Sequence, residues 1–366
     1  MYIRSFQTAK PPKWIISDGH IFIKLKKRIR RIMKKVYSLF RKKVWILEAA
    51  DTNCVHNDTI LFVGRDLNRD YFGKLFFKNY THRLIGHRWL WQVFFPKDKI
   101  YKNCSFSVMQ TKWRMDSFCR SKMMFFVPAW IYGRVDITSN FDTYLKKNKS
   151  VKNNLRKIKK GQFSVEISSD PKAFEEFYFK MHQPYISKRY GEGAINRKYD
   201  QMKDLFIKHN EILFITKDSQ RIAGLMICYL ESGMPQLYVL GVRDGDFNWV
   251  SQGAISALYL NTIIYFQSKG FKKICLGGTR PFFSDGVLNY KLNNWNMKIE
   301  DYAKESYFLI KQHRASAFAQ EFLSENPFIS IKKGKMIINS FIRENNENND
   351  ATNDKLNKYV QNGSSK

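Results

Sequence analysis

The sequence predicts an α/β fold with a mixed central sheet flanked by helices, and three observations carry that expectation. Two strand patterns, Glu211–Thr216 and Arg221–Leu230, are joined through the turn Lys217-Asp218-Ser219-Gln220, and Ser232-Gly233 then turns the chain into a third at Gln236–Val242. A glycine-started helix follows and is capped near Gly270. After it comes a short apolar strand, Ile274-Cys275-Leu276. Hairpin-linked strands pair antiparallel, whereas a strand reached through a helix can pair in parallel, so the sheet is mixed.

The chain divides into four parts. Residues 1–43 form a basic segment, in which residues 24–43 carry eleven Lys or Arg and no acid. Leu25, Ile29, Ile32, Met33, Val36 and Phe40 recur there at helical spacing, so an amphipathic basic helix is expected. Such a helix can pack on the domain, lie on anionic lipid or track a nucleic-acid backbone. Residues 44–140 show short strand-like pieces at Val44–Leu47, Thr59–Val63, Ser105–Val108 and Met124–Val127, an α/β pattern without a chemical motif.

Residues 141–343 hold the rest of the ordered chain. A second basic stretch, LKKNKSVKNNLRKIKK (145–160), precedes a helix started by Asp170-Pro171, with Phe174, Phe177, Tyr178 and Met181 on one face. Another amphipathic stretch, Tyr199 to Lys208, leads into the hairpin strands. The polar, asparagine-rich tail 344–366 lacks apolar periodicity and is expected to be disordered.

Composition narrows the function classes. The 63 Lys and Arg against 32 Asp and Glu give a formal charge of +31, which favours phosphate-bearing partners such as RNA, anionic lipid or coenzyme A. A solvated lysine surface is the competing account. The five cysteines, Cys54, Cys104, Cys119, Cys228 and Cys275, are scattered without a CxxC pair, which supports neither a disulfide framework nor a zinc ribbon. The spacing of His82, His87 and His56 is wrong for a metal site, and no nucleophile elbow or Walker sequence occurs. The longest apolar run, Met123 to Tyr132, is broken by Pro128 and is too short to span a bilayer, and the first twenty residues lack a signal-peptide core. A cytoplasmic location is expected, and contact with the inner membrane face is compatible with it.

Chemistry concentrates between Phe247 and Trp295. Gln252-Gly253-Ala254 opens a helix where free N–H groups and the positive dipole end can receive phosphate. The loop Gly277-Gly278-Thr279-Arg280 lies beyond a strand's carboxyl end, a usual ligand position in α/β sheets, and Arg280 can clamp a phosphate or carboxylate. Acyl transfer from a thioester needs no protein nucleophile; it needs a held carrier, an oriented carbonyl and somewhere for protons to go.

The stretch from about Ser150 to Asn296 resembles the GNAT-superfamily domain of CelD-like acetyltransferases and Fem-type peptidyltransferases. The pieces that carry the resemblance are SVKNNLRKIKK, FYFKMHQPYISKRYG, the strand pair around Ile222-Ala223-Gly224, QGAISALYLNTIIYFQSKG and GGTRPFFSDGVLNYKLNNW. The resemblance implies a GNAT-like mixed sheet, with a diverged second copy in the N-terminal half. It implies Tyr290 as the acid that protonates the departing thiolate and Lys291 as a lysine that contacts the acceptor or stabilises charge. It further implies Gln252, Gly253 and Ala254 on an acyl-CoA co-substrate, and Arg189 and Tyr190 on the acceptor; beside it, the loop position of Arg280 places it on the co-substrate and that of Asp285, a carboxylate near the turn, on the acceptor. The implied activity is transfer of an acetyl or other acyl group from acyl-CoA to an amine of a sugar, cell-envelope precursor or related metabolite, without metal. A Fem-type transfer from aminoacyl-tRNA is the alternative, and a non-enzymatic basic module binding RNA or membrane is the third.

Overall fold

The computed structural model describes residues 41–50, 58–89, 103–119, 123–138, 140–191, 198–209 and 211–341. Fifteen strands among the described residues form three sheets. In the N-terminal half, β1 (Arg41–Ala49), β2 (Thr59–Val63), β3 (Tyr80–Trp89), β4 (Phe106–Thr111) and β5 (Met124–Pro128) are joined by β13 (Tyr307–Gln312) from the far end of the chain. Their order is β3-β1-β2-β4-β13-β5. The C-terminal half contains β7 (Ser164–Ser168), β8 (Ile212–Lys217), β9 (Gln220–Tyr229), β10 (Pro235–Val242), β11 (Lys273–Thr279) and β12 (Lys298–Tyr302). It receives β6 (Ile131–Asp136) in return, giving the order β12-β6-β11-β10-β9-β8-β7. The third sheet is the hairpin β14 (Phe328–Lys332) and β15 (Lys335–Asn339).

The two large sheets repeat one plan. Reading β3-β1-β2-β4-β13-β5 against β8-β9-β10-β11-β6-β12, every neighbouring pair matches in direction, with one parallel pair, β2/β4 or β10/β11, in the same place. A helix bridges each parallel pair: α1 (Asp66–Phe76) between β2 and β4, and α8 (Ala254–Ser268) between β10 and β11. The chain is thus a tandem mixed α/β fold in which each half lends the other one strand. Both loans cross the sequence division expected at residue 140.

The exchange is held by apolar burial. Phe308 on β13 lies between Phe72 of α1 and the surrounding N-terminal core, with the two rings 4.7 Å apart and edge-to-face. Ile131 and Val135 of β6 are buried in the C-terminal core with Leu276 and Trp295. Each such side chain is worth about 1.5–3 kcal/mol on burial, so neither half keeps a complete core without the other's strand.

The remaining helices are α2 (Asn140–Lys147), α3 (Lys149–Gly161), α4 (Pro171–Glu176), α5 (Gln183–Tyr190), α6 (Tyr199–His209), α7 (Phe247–Ser251), α9 (Gly286–Trp295) and α10 (Ala317–Glu325). Asp170 caps α4 by accepting from Lys172 N, and a π-helical turn, Phe177–His182, joins α4 to α5. That turn crosses β10 closely: a Cβ on Gly241 would lie 2.4 Å from His182 N. Arg243 and Arg221 tie the sheet beneath to α4 and β7 through Glu176 and Glu166.

Of the expected basic helix at 24–43, residues 24–40 lie outside the described residues, and Arg41–Lys43 belong to strand β1 instead. The β-branched and aromatic run that follows, with pairing to both β2 and β3, overrides helical spacing at that end. The tail at 344–366 also lies outside the described residues. No helix among the described residues is long and apolar enough to cross a membrane.

Candidate active site

The site begins with a parallel pair that separates. Strands β10 and β11 are in register at a single position, Gln236 opposite Cys275. Each is irregular just beyond it, β10 between Leu237 and Val239 and β11 between Cys275 and Gly278. Gly277 makes the divergence possible. Its φ is 74°, and a Cβ there would lie 2.4 Å from Leu237 O, so only glycine fits. The carbonyls of Gly277 and Gly278 lie just beyond the registered pair, where β11 is irregular.

Lys291 takes those carbonyls. It projects from α9, is only 4% exposed, and its Nζ donates to Gly277 O and Gly278 O, both at 3.3 Å. Burial pulls its pKa down to about 8, opposed by the nearby Cys275 and Asp285. The ammonium therefore remains mainly protonated at neutral pH while being far easier to deprotonate than a surface lysine.

Tyr290, the preceding residue, points to α8. Its hydroxyl shares a 2.9 Å hydrogen bond with Ser256 Oγ in the first turn of α8. Its ring lies edge-on to Tyr259 at 5.5 Å and to Trp295 at 6.2 Å. Burial raises its pKa, opposed in part by the hydrogen bond with Ser256. A phenol held neutral in this way can donate a proton.

Asp285 caps the helix that carries both residues, its Oδ1 accepting from Val287 N and Leu288 N at 2.9 Å. Expected on the acceptor, it is engaged in the fold, although its charge reaches Lys291. Arg189 is exposed in the last turn of α5, donates to Tyr185 Oη, and lies over that ring at 5.6 Å. Tyr190 ends α5, and its side chain lies outside the described residues.

Two of the expected cofactor contacts sit differently. Gly253 adopts a left-handed φ of 99° as the N-cap of α8, as the motif requires, and Gln252 beside it is exposed. The basic helix α3, however, lies over this end, since a Cβ on Gly253 would be 3.1 Å from Lys157 Cβ. Gly253 and Ala254 are both buried. Arg280 is not a phosphate clamp. It is 6% exposed, stacked between Trp130 at 4.2 Å and Tyr71 at 4.4 Å, and donates to Ala129 O at 3.1 Å and Asn68 Oδ1 at 2.8 Å. The aromatic side chains that sequester it come from the N-terminal half, far away in sequence.

Lys291, Tyr290, Asp285 and the α8 start are thus brought together, whereas Arg280 faces the other half. Neither Ser256 nor Tyr185 is among the residues expected to act in the site. Ser256 carried a signal, lying three residues after Gly253 on the helix that the motif begins. The described residues contain no group of three or more His, Cys, Asp or Glu placed to hold a metal; Asp51, Cys54 and His56 lie outside them.

No protein-family model matches the chain, and no curated protein does. Among solved structures, it is similar to FemX, at 10% identity over 70% of this chain and 82% of that one, with a TM-score of 0.39. It is similar to L-PGS from Bacillus licheniformis at 9% identity over 72% and 80% of the two chains, TM-score 0.33. It is similar to a GCN5-related N-acetyltransferase from Kribbella flavida at 9% identity over 83% and 68%, TM-score 0.29.

Proposed function

We propose that this protein is an acyltransferase that acylates an amine of a sugar, a cell-envelope precursor or a related metabolite. The observation that carries the reading is the buried Lys291 ammonium, fixed on the Gly277 and Gly278 carbonyls where β10 and β11 part. A carbonyl held in the gap would gain negative charge on its oxygen as the amine attacks, and a preorganised cation there stabilises that charge. The amine nitrogen forms the new bond to the acyl carbon and sheds a proton to solvent. The bond to the carrier breaks, and Tyr290 donates its phenol proton to the leaving thiolate or alkoxide, then regains a proton from solvent.

The donor has two readings. Acyl-CoA is what the glycine start of α8 suggests. The position of α3 over Gly253 favours the other, an aminoacyl ester carried by tRNA, because a pyrophosphate on that helix start would have to share space with Lys157. The charge of +31 suits a polyanionic donor equally.

The deciding experiment presents both donors to the full chain with an amino-sugar acceptor. Titration calorimetry with acetyl-CoA that gives no heat at millimolar ligand eliminates the CoA donor. Labelled aminoacyl-tRNA that retains its label in the presence of chain and acceptor eliminates the second. Failure of both removes the acyltransferase reading.

A further inference from the structure

Arg280 is a buried cation that no described carboxylate accepts from. Its guanidinium is stacked on both faces, by Trp130 and by Tyr71, with Phe308 at 5.8 Å. Asn68 and Tyr71 lie on α1, Ala129 and Trp130 in the connection from β5 to β6, and Phe308 on the exchanged strand β13. All of these partners lie in the N-terminal half or in the segments by which the halves trade strands. Arg280 itself directly follows β11, two residues after Gly278.

Enclosing a guanidinium without a counter-charge is costly, and an apolar side chain of similar volume would fill the space at lower cost. A planar fork does something such a chain cannot, because it fixes an orientation through two directed hydrogen bonds while its faces stack. Here the fork joins the carboxyl end of β11 to α1. The carbonyls that hold Lys291 lie on that same end.

We propose that Arg280 is a positioning residue that couples the two halves: by anchoring the end of β11 to α1 and Trp130, it sets where the Gly277 and Gly278 carbonyls hold Lys291. The inference rests on the reading of Lys291 as the charge-stabilising group, and it makes the N-terminal half part of the site's mechanics. Cys275 on β11 and Asp285 at the start of α9 are the ionisable groups that act on Lys291, and the latter acts on Arg280 too.

The test follows the Lys291 ammonium directly, by lysine side-chain NMR titration of the full chain, with the resonance assigned by its loss in Lys291→Met. Wild type is expected to titrate near pH 8. In Arg280→Met the end of β11 is released and water reaches the ammonium, so the midpoint should rise by at least about half a unit toward the ordinary lysine value. Arg280→Lys should fall between the two. Asn68→Ala removes one of the two hydrogen bonds from the other side and should give a smaller rise, which keeps the test available if Arg280→Met does not fold. A merely structural role lowers the melting temperature and leaves the midpoint unmoved, and that result overturns the coupling. Normal turnover in Lys291→Met would instead overturn the reading of the site, so the two failures are distinguishable.

Discussion

Tyr290 and Ser256 share a 2.9 Å hydrogen bond that joins the middle of α9 to the first turn of α8. The link places a half-buried phenol beside the helix start without giving it a charged partner. Tyr290→Phe should therefore lower kcat by about 10²–10⁴-fold, the range for loss of a positioned acid. Its stability cost should be small, about 1 kcal/mol for one hydrogen bond. Ser256→Ala should reduce kcat much less. Equal turnover of Tyr290→Phe and wild type would remove the phenol from the mechanism.

Lys291 makes the rate sensitive to pH in a defined direction. The protonated form stabilises the developing charge, so kcat should fall as pH rises through about 8. A rate that instead rises through this range would mark the neutral amine as a base. Lys291→Met should cost about 10²–10³-fold in kcat and remove the inflection, as for loss of one charge-stabilising donor.

The same lysine predicts a stability profile. Its pKa falls from 10.5 in the unfolded chain to about 8 in the folded one, so the unfolded chain binds more protons between those values. Stability should rise with pH across that window, by about 1.4 kcal/mol for each unit of pKa difference, and the rise should be absent in Lys291→Met. Urea denaturation at pH 7.5 and pH 10 measures it.

Gly277 and Gly278 should differ sharply despite their adjacency. Gly277→Ala puts a Cβ 2.4 Å from Leu237 O at a φ of 74°, and should destabilise the fold by about 1–2 kcal/mol from backbone conformation alone, more with the clash. Gly278→Ala meets the Tyr132 ring at 3.3 Å and the Trp130 ring at 3.5 Å, without a left-handed φ, and should be tolerated better. Thermal unfolding of both variants gives the comparison.

Glu211 anchors the far end of the C-terminal sheet. It accepts from Tyr265 Oη, from Lys269 Nζ at 2.9 Å and from Tyr229 Oη at 2.7 Å. Burial pushes its carboxyl pKa up, but these three donors outweigh burial and hold it below the usual 4.5. Its contribution is thus present above the ordinary carboxylate range and lost as pH falls through the depressed value. Glu211→Gln should cost about 1–3 kcal/mol at pH 7, and the difference from wild type should shrink on acidification below pH 4.5.

Strands whose residues pack on a contiguous core announced themselves. Thr59–Val63 is β2 with the expected bounds, and Arg221–Leu230 differs from β9 by one residue at each end. The signal failed for β3, whose His-, Arg- and Gly-containing sequence buries no residue fully on a sheet edge and has no apolar alternation to read. It failed also for the partner of β13, because nothing local to Tyr307–Gln312 says which sheet will take it. Among the candidate residues, Tyr290 and Lys291 fall on one helix, as their local motif suggests, whereas the enclosure of Arg280 depends on distant segments.

The sequence by itself determined the α/β class, the hairpins of the C-terminal sheet, and the helix that carries Tyr290 and Lys291. These follow from periodicity, turn residues and caps, which act over a few residues. Only the tertiary structure decided that the halves exchange β6 and β13, that α3 covers the start of α8, and that Arg280 belongs to the junction between the halves. Each of these depends on which buried surfaces meet across more than ninety residues of chain. Close packing and the cost of burying a charge choose among such meetings, and neither is written in local spacing.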